Sequence, residues 1–390
     1  MFKVLKGGRV LAPDDMGIKD VLIAGNVVGN IAESISPSDD YGSCEVIDVT
    51  GRYVVPGFID QHVHLIGGGG ETGYASRTPE VMLSHVIRAG ITTVVGCLGT
   101  DGTTRHMTSL LAKARGLETE GISTYIYTGS YEVPTRTITE SVRNDIILID
   151  KVIGCGEIAI SDHRSAQPSR EDIEKLVAEA RVGGILSGKA GVLHLHVGDG
   201  QRGLSMLFEI VKETEIPITQ FTPTHINRNP RLLEEGVKFA LLGGIIDITS
   251  GVSPEAGVSK AIKPSRAIKY CLDKGVPIKN ITMSSDGNGS MPLFDEKGNV
   301  IGLLVSELDS LYREFKDMIM IEGIEITDAL KILGENQARS LKLYPQKGCL
   351  QVGSDADILV LDKELKIEFM LAKGKTMIKN GEIMVKGTFE

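Results

Sequence analysis

The chain carries no block of lysines or arginines. Its 42 basic residues stand against 51 acidic ones, for a formal net charge of −9. The electrostatic footprint of a nucleic-acid binder is therefore missing. No run of eighteen apolar residues occurs, which argues against a membrane-spanning helix and a membrane partner. The opening Met1-Phe2-Lys3-Val4-Leu5-Lys6 lacks the apolar core of a signal peptide, so a cytoplasmic location is expected. Cysteine is sparse and unpaired in pattern: Cys44, Cys97, Cys155, Cys271 and Cys349 are scattered, odd in number and form no Cys-x-x-Cys. That excludes a zinc ribbon and a disulfide framework and suits reduced thiols. Cys155 lies close to a candidate site residue, though burial is the commoner fate of a free cysteine. No Gly-x-Gly-x-x-Gly turn follows an early strand, which lowers a doubly wound open sheet. There is no internal repeat and no low-complexity segment.

What is present is a globular balance, 42% hydrophobic and 24% charged, over 390 residues, enough for a barrel and a small second domain. The first fifty or so residues read as short strands (Lys3–Leu5, Arg9–Leu11, Asp20–Ala24, Glu45–Val49) separated by Gly, Pro, Asp and Asn. The C-terminal stretch has the same texture at Ala356–Leu361, Lys375–Ile378 and Glu382–Val385. Neither end is long enough to bury a core alone. We expect residues 1–54 and 347–390 to pair into one small β-sandwich domain. Between them strands alternate with helices. Thr78-Pro79-Glu80 reads as a helix start, and Ala89-Gly90 as its end, before the β-branched run Ile91–Val95. Apolar runs recur near residues 57–63, 91–97, 122–128, 157–161, 192–197, 217–222, 244–249 and 280–285. Eight strands with helices between predict a (β/α)₈ barrel over residues 55–346.

In such a barrel, catalytic groups gather at the C-terminal ends of the strands. The first strand closes on Asp60-Gln61-His62-Val63-His64, whose histidines point the same way because strand side chains alternate. Two imidazoles on one face can share a metal ion. The fourth predicted strand begins with Glu157, the fifth ends in His194 and His196, the sixth in His225 and the eighth in Asp286. Each has a bland reading alone: a strand histidine in the core, a turn aspartate before Gly287, a surface acid at a strand start. Their convergence on one rim points instead to imidazole and carboxylate ligands for catalytic zinc or a similar divalent ion. His194 and His196 share a strand face, and spacing alone does not choose between them.

Several segments carry more. Pro56–His64, Ile66-Gly67-Gly68-Gly69-Gly70-Glu71, Ser161-Asp162-His163-Arg164-Ser165, Pro223-Thr224-His225-Ile226-Asn227-Arg228-Asn229 and Ser284–Ser290 together span most of the chain. In these the sequence resembles the amidohydrolase superfamily and, within it, the isoaspartyl (β-aspartyl) dipeptidases. The His-x-His marks only the superfamily; the Gly₄-Glu, Asp-His-Arg-Ser and Thr-His-x-Asn-Arg-Asn segments are specific to the dipeptidases. The resemblance implies two divalent metal ions, most simply zinc, one held by His62, His64 and Asp286 and the other by His196 and His225. These enzymes commonly bridge the metals with a carbamylated lysine at the start of the fourth strand, and here Glu157 stands in that place, after a turn one residue longer. A glutamate supplies a two-oxygen anion on a shorter stem, so the backbone must come closer. Lys151 sits too far before the strand to serve.

The same resemblance implies hydrolysis of β-aspartyl dipeptides by a metal-bridging hydroxide, with Asp286 as general base and then acid and Tyr131 donating to the oxyanion. It places Glu71 on the substrate ammonium and Arg164 and Arg228 on its carboxylates, with Ser290, Thr100 and the backbone of Gly69 as further contacts. A homo-oligomer is expected on the same ground. The rivals are a cyclic-amide hydrolase or N-acyl-amino-acid deacylase of the same superfamily, a metal-free relative kept for assembly, and a binding protein for acidic peptides.

Overall fold

The computed structural model describes residues 2–36, 44–294 and 300–390. Strands β1 (Phe2–Leu11), β2 (Asp15–Ala24), β3 (Val27–Ala32), β4 (Cys44–Asp48) and β5 (Tyr53–Pro56) open the chain. The barrel strands follow: β6 (Phe58–Val63), β7 (Ile91–Gly96), β8 (Ser123–Thr128), β9 (Val152–Ile160), β10 (Val192–Val197), β11 (Phe221–Thr224), β12 (Ile246–Thr249) and β13 (Ile281–Ser284). A hairpin, β14 (Ser290–Phe294) with β15 (Val300–Val305), precedes the last helices, and β16 (Ile358–Leu361), β17 (Ile367–Ala372), β18 (Lys375–Lys379) and β19 (Glu382–Ile383) end the fold.

The two ends of the chain share one nine-stranded sheet, ordered β19-β18-β17-β16-β5-β1-β2-β3 with β4 also on β1. The seam is antiparallel, Tyr53 opposite Leu361 through Pro56 opposite Ile358. Its inner faces close on Leu5, Val10, Val21, Ile23, Val54, Ile358 and Val360. The expected division after residue 54 falls inside β5, because the sheet continues to Pro56. One residue, Gly57, separates β5 from β6; a Cβ there would meet the Thr92 side chain at 2.3 Å, so the chain passes from sheet to barrel through glycine.

Strands β6 to β11 form a continuous parallel sheet and β12–β13 a parallel pair. A parallel bridge from Val63 to Gly287 ties the ends of the barrel together. This is the (β/α)₈ barrel with a β-domain from both termini. The connecting helices are set by local signals. Helix 170–187 starts on a Ser169–Asp172 capping box and stops at left-handed Gly188. Helix 230–241 starts at Asn229, whose side chain accepts from Leu232 N, with proline next.

Three readings need correction. Helix 83–88 begins five residues after Thr78. The Thr78 hydroxyl instead accepts from Gly68 N and donates to Asn288 O, both at 2.7 Å, so it fastens the glycine loop to the loop after β13. Strand β9 begins at Val152, which puts Glu157 inside it rather than at its start. Strands β3, β17 and the β14–β15 hairpin have no counterpart in the periodicity reading.

Candidate active site

His62 lies in β6, His64 one residue past it, Glu157 in β9, His196 in β10, His225 just beyond β11 and Asp286 two residues beyond β13. All six come together. Glu157 Oε1 lies 3.4 Å from His62 Nε2 and 3.6 Å from His64 Nε2. Its other oxygen, Oε2, lies 3.1 Å from His196 Nδ1 and 3.5 Å from His225 Nε2. One carboxylate thus spans two histidine pairs, one oxygen to each. Asp286 Oδ1 closes the first pair, 3.4 Å from His62 Nε2 and 3.0 Å from His64 Nε2. Glu157 is 1% exposed, so it is no surface acid.

A bulge aims it. Leu193 pairs with Cys155, yet Leu195 pairs with Ile158, so β9 carries one extra residue opposite β10. Gly156 within the bulge has φ +155°, and a Cβ there would stand 2.7 Å from the His194 carbonyl oxygen. Only glycine lets the strands approach so closely. This is the shortened path to the site that a glutamate stem requires. Gly156→Ala should cost about 1–3 kcal/mol of stability and lower the metal content per chain, read by denaturant unfolding and elemental analysis. Unchanged stability with full metal content would show that the bulge is set elsewhere.

Three of the four histidines are held from behind. His196 Nε2 sits 2.9 Å from Asp162 Oδ2, His225 Nδ1 2.8 Å from Thr249 Oγ1, and His62 Nδ1 2.9 Å from His194 Nε2. With its Nε2 hydrogen donated to Asp162, His196 turns the lone pair of Nδ1 toward Glu157, where the Tyr131 hydroxyl also reaches it at 2.7 Å. His225, with Nδ1 turned to Thr249, offers Nε2 in the same way. His194 stacks on Tyr127 and braces His62 instead of joining the donor cluster. Left-handed φ angles at His225 (63°) and Asp286 (54°) mark the strained turns that bring both into the rim.

A lone pair facing a carboxylate is repulsive unless a cation lies between them. Donors about 2.0–2.1 Å from a tetrahedral metal stand roughly 3.3 Å from one another, the spacing seen here. His62 Nε2 is buried without a hydrogen-bond partner among the described residues, as such a ligand atom would be. The donors therefore fit divalent metal ions. Burial, reinforced by His196, pushes His225 down to about 3, so it stays neutral and free to ligate. Burial alone would raise Glu157, but His62 and the other histidines outweigh it and hold its carboxyl well below the usual range. His62 and His64 go the other way. Against burial, Cys97 and the carboxylates favour a positive charge there, which a proton or a metal ion can supply. Burial keeps Tyr131 protonated far into alkali, as a donor must be.

The rim above this cluster is built for ions. Thr100 Oγ1 donates to Glu71 Oε1 at 3.0 Å, and Arg164 Nη1 reaches the same oxygen at 3.3 Å. Arg164 also grips Asp162 at 2.8 Å and lies over the Tyr131 ring, 5.6 Å from its centre. Gly69 packs on Ser290, close enough that a Cβ would stand 2.6 Å from the serine Cβ. Arg228 follows His225 in a short turn, and its buried Nε has no hydrogen-bond partner among the described residues.

The motif asparagines are structural. Asn227 donates to Thr249 O, Val252 O and Ile262 O and accepts from Thr249 N, which ties the loop after β11 to β12. Lys151 is engaged elsewhere, its Nζ 2.5 Å from Glu118. Cys155 belongs to the packed core and has no place in the donor cluster. Sequence reasoning missed Asp162, Thr249 and Cys97. Asp162 opens the Asp-His-Arg-Ser segment, and the other two close predicted strands.

Two sequence profiles, both described as amidohydrolase family, match residues 45–109 and 222–388. The fold superposes on the crystal structure of a β-aspartyl dipeptidase from Fervidobacterium islandicum AW-1 in complex with β-Asp-Leu, with a TM-score of 0.90 and 44% identity over 98% of both chains. The chain belongs to the β-aspartyl dipeptidase family of amidohydrolases. Beyond that family, the dihydropyrimidinase of Brevibacillus agri NCHU1002 shares the fold, with a TM-score of 0.70 and 17% identity over 99% of this chain and 97% of that one. A dihydroorotase of Staphylococcus aureus (strain Mu50 / ATCC 700699) is 40% identical over 92 residues, only 24% of this chain and 20% of that enzyme. Between the two histidine pairs stands a single carboxylate. In this chain Glu157 occupies that position.

Proposed function

We propose that this protein is a binuclear metallo-dipeptidase that hydrolyses β-aspartyl dipeptides. The observation that carries the reading is that Glu71, Thr100 and Arg164 form one ionic cluster joined through Asp162 to His196, one of the four histidines that a single carboxylate spans. His62, His64 and Asp286 would hold one ion and His196 and His225 the other, with the Glu157 carboxylate serving both pairs; zinc suits these ligands best. When bound, the ions supply an activated hydroxide and polarise the scissile carbonyl.

The remaining work falls to the chain. Asp286, 18% exposed at its side chain where its partners His62 and His64 are sealed, is the acid with an oxygen open to the substrate side. It would take the hydroxide proton during attack and deliver it to the leaving amine. The Tyr131 hydroxyl donates to the oxygen on which charge develops. Arg164 and Arg228 take the two substrate carboxylates, and Glu71 with Thr100 takes the ammonium. Ser290 and the backbone of Gly69 line the same mouth. A cyclic amide brings no ammonium to Glu71, which would then keep only its contacts with Arg164 and Thr100. We further propose the division into a barrel, taken up after Pro56 and running to residue 346, and a terminal β-domain, a homo-oligomeric state and a cytoplasmic location. Among the described residues no helix is long and apolar enough to cross a membrane.

The deciding experiment is kcat/KM of the zinc-supplemented protein for β-Asp-Leu against α-Asp-Leu. We expect a preference for the β-linked peptide of at least about a hundredfold, since a misplaced carboxylate leaves buried charges unpaired. Failure to cleave either peptide, with two metals bound, would turn the reading toward cyclic amides and N-acyl amino acids.

A further inference from the structure

The first histidine pair has a donor that the resemblance does not supply. Cys97 directly follows β7, at the rim where the barrel strands deliver their functional groups. Its side chain is fully buried. Its Sγ lies 3.9 Å from His64 Nδ1, and it stands within 4.8 Å of ligand atoms of His62, His64 and Glu157. His62 Nε2, in the same cluster, is buried and lacks a hydrogen-bond partner among the described residues.

We propose that Cys97 is a thiolate ligand of the metal ion held by His62 and His64, so that this ion has a sulfur donor and its neighbour has none. The proposal rests on the binuclear reading above. The ordinary account of a buried cysteine is that of a small hydrophobe, and Cys97 does belong to a buried cluster with Val95, Tyr127 and Val192, its Sγ 3.7 Å from the Val63 carbonyl. Packing, however, does not require a sulfur beside two imidazoles and a carboxylate. That grouping of nitrogen, oxygen and sulfur donors is the preference of zinc and its softer neighbours over magnesium or manganese. On binding, the Cys97 S–H bond breaks, its proton leaves to solvent and the sulfur lone pair forms the bond to the metal. No electron changes hands. The two metal positions then differ in chemistry: one is softer and more retentive, the other bound by nitrogen and oxygen alone.

X-ray absorption at the zinc edge of the unmutated, two-zinc protein tests this without any variant. A sulfur neighbour at about 2.3 Å, averaging one sulfur per two zinc ions, is expected. Two bound zinc ions with only nitrogen and oxygen neighbours would overturn the thiolate and leave the binuclear reading standing. A protein that binds no metal would overturn both. In the cobalt-loaded protein, the near-ultraviolet sulfur-to-cobalt absorption should vanish in Cys97→Ser and persist in Cys155→Ser. An unchanged spectrum in Cys97→Ser would also overturn the assignment.

Discussion

Replacing Glu157 by alanine should leave a protein that binds at most one metal ion per chain and has lost about a thousandfold or more in kcat/KM. The reason is electrostatic. Oε1 faces His62 and His64 while Oε2 faces His196 and His225, so a single anion serves both positions. Two divalent ions a few ångströms apart repel strongly in a buried site unless a negative group lies between them. Alanine also leaves a gap facing four imidazoles, so the loss is not confined to charge. Elemental analysis of the dialysed variant, with kcat/KM for β-Asp-Leu on the same sample, checks both parts. Two retained metals with unaltered activity would mean that Glu157 is a packing residue and that another group neutralises the pair.

Asp286→Asn should lower kcat by about 10²–10⁴-fold while KM changes little. The amide keeps the size of the side chain and one oxygen for the contact with His64, but it accepts no proton at neutral pH. In the protein, burial would raise the Asp286 carboxyl, and the hydrogen bond from His64 with the charge of His62 more than reverses this. It is thus ionised throughout the neutral range. Steady-state kinetics on β-Asp-Leu with the metal content held at the wild-type level separates proton transfer from ligand loss. If kcat is unchanged in a fully loaded variant, Asp286 acts only as a ligand and another base must be sought. Together the two expected outcomes would divide the site: Glu157 would set how many ions are held, Asp286 what the reaction does once they are.

Much of this was written locally. His62 and His64 converge because residues two apart on a strand share a face, and their distances to Asp286 show that they do. The alternation of apolar runs with helices specified the barrel, and the matching texture of the two ends specified their union, which the β5–β16 seam realises. Local composition also misled. Thr78-Pro79 has the form of a helix cap, but the Thr78 hydroxyl is consumed by Gly68 and Asn288, the latter 210 positions along the chain.

Short-range patterns carried the donor types and, Glu157 apart, their place at strand ends, because periodicity and turn chemistry are local properties. The tertiary structure decided which of them meet. His196 and not His194 faces Glu157 because Asp162 and Tyr131 hold it there, while His194 is turned to His62. Glu157 reaches both histidine pairs because β9 gains a residue against β10, and register between strands is invisible to either strand alone. Cys97 stands among the donors for the same reason: its neighbours come from other strands, brought near only when the barrel closes.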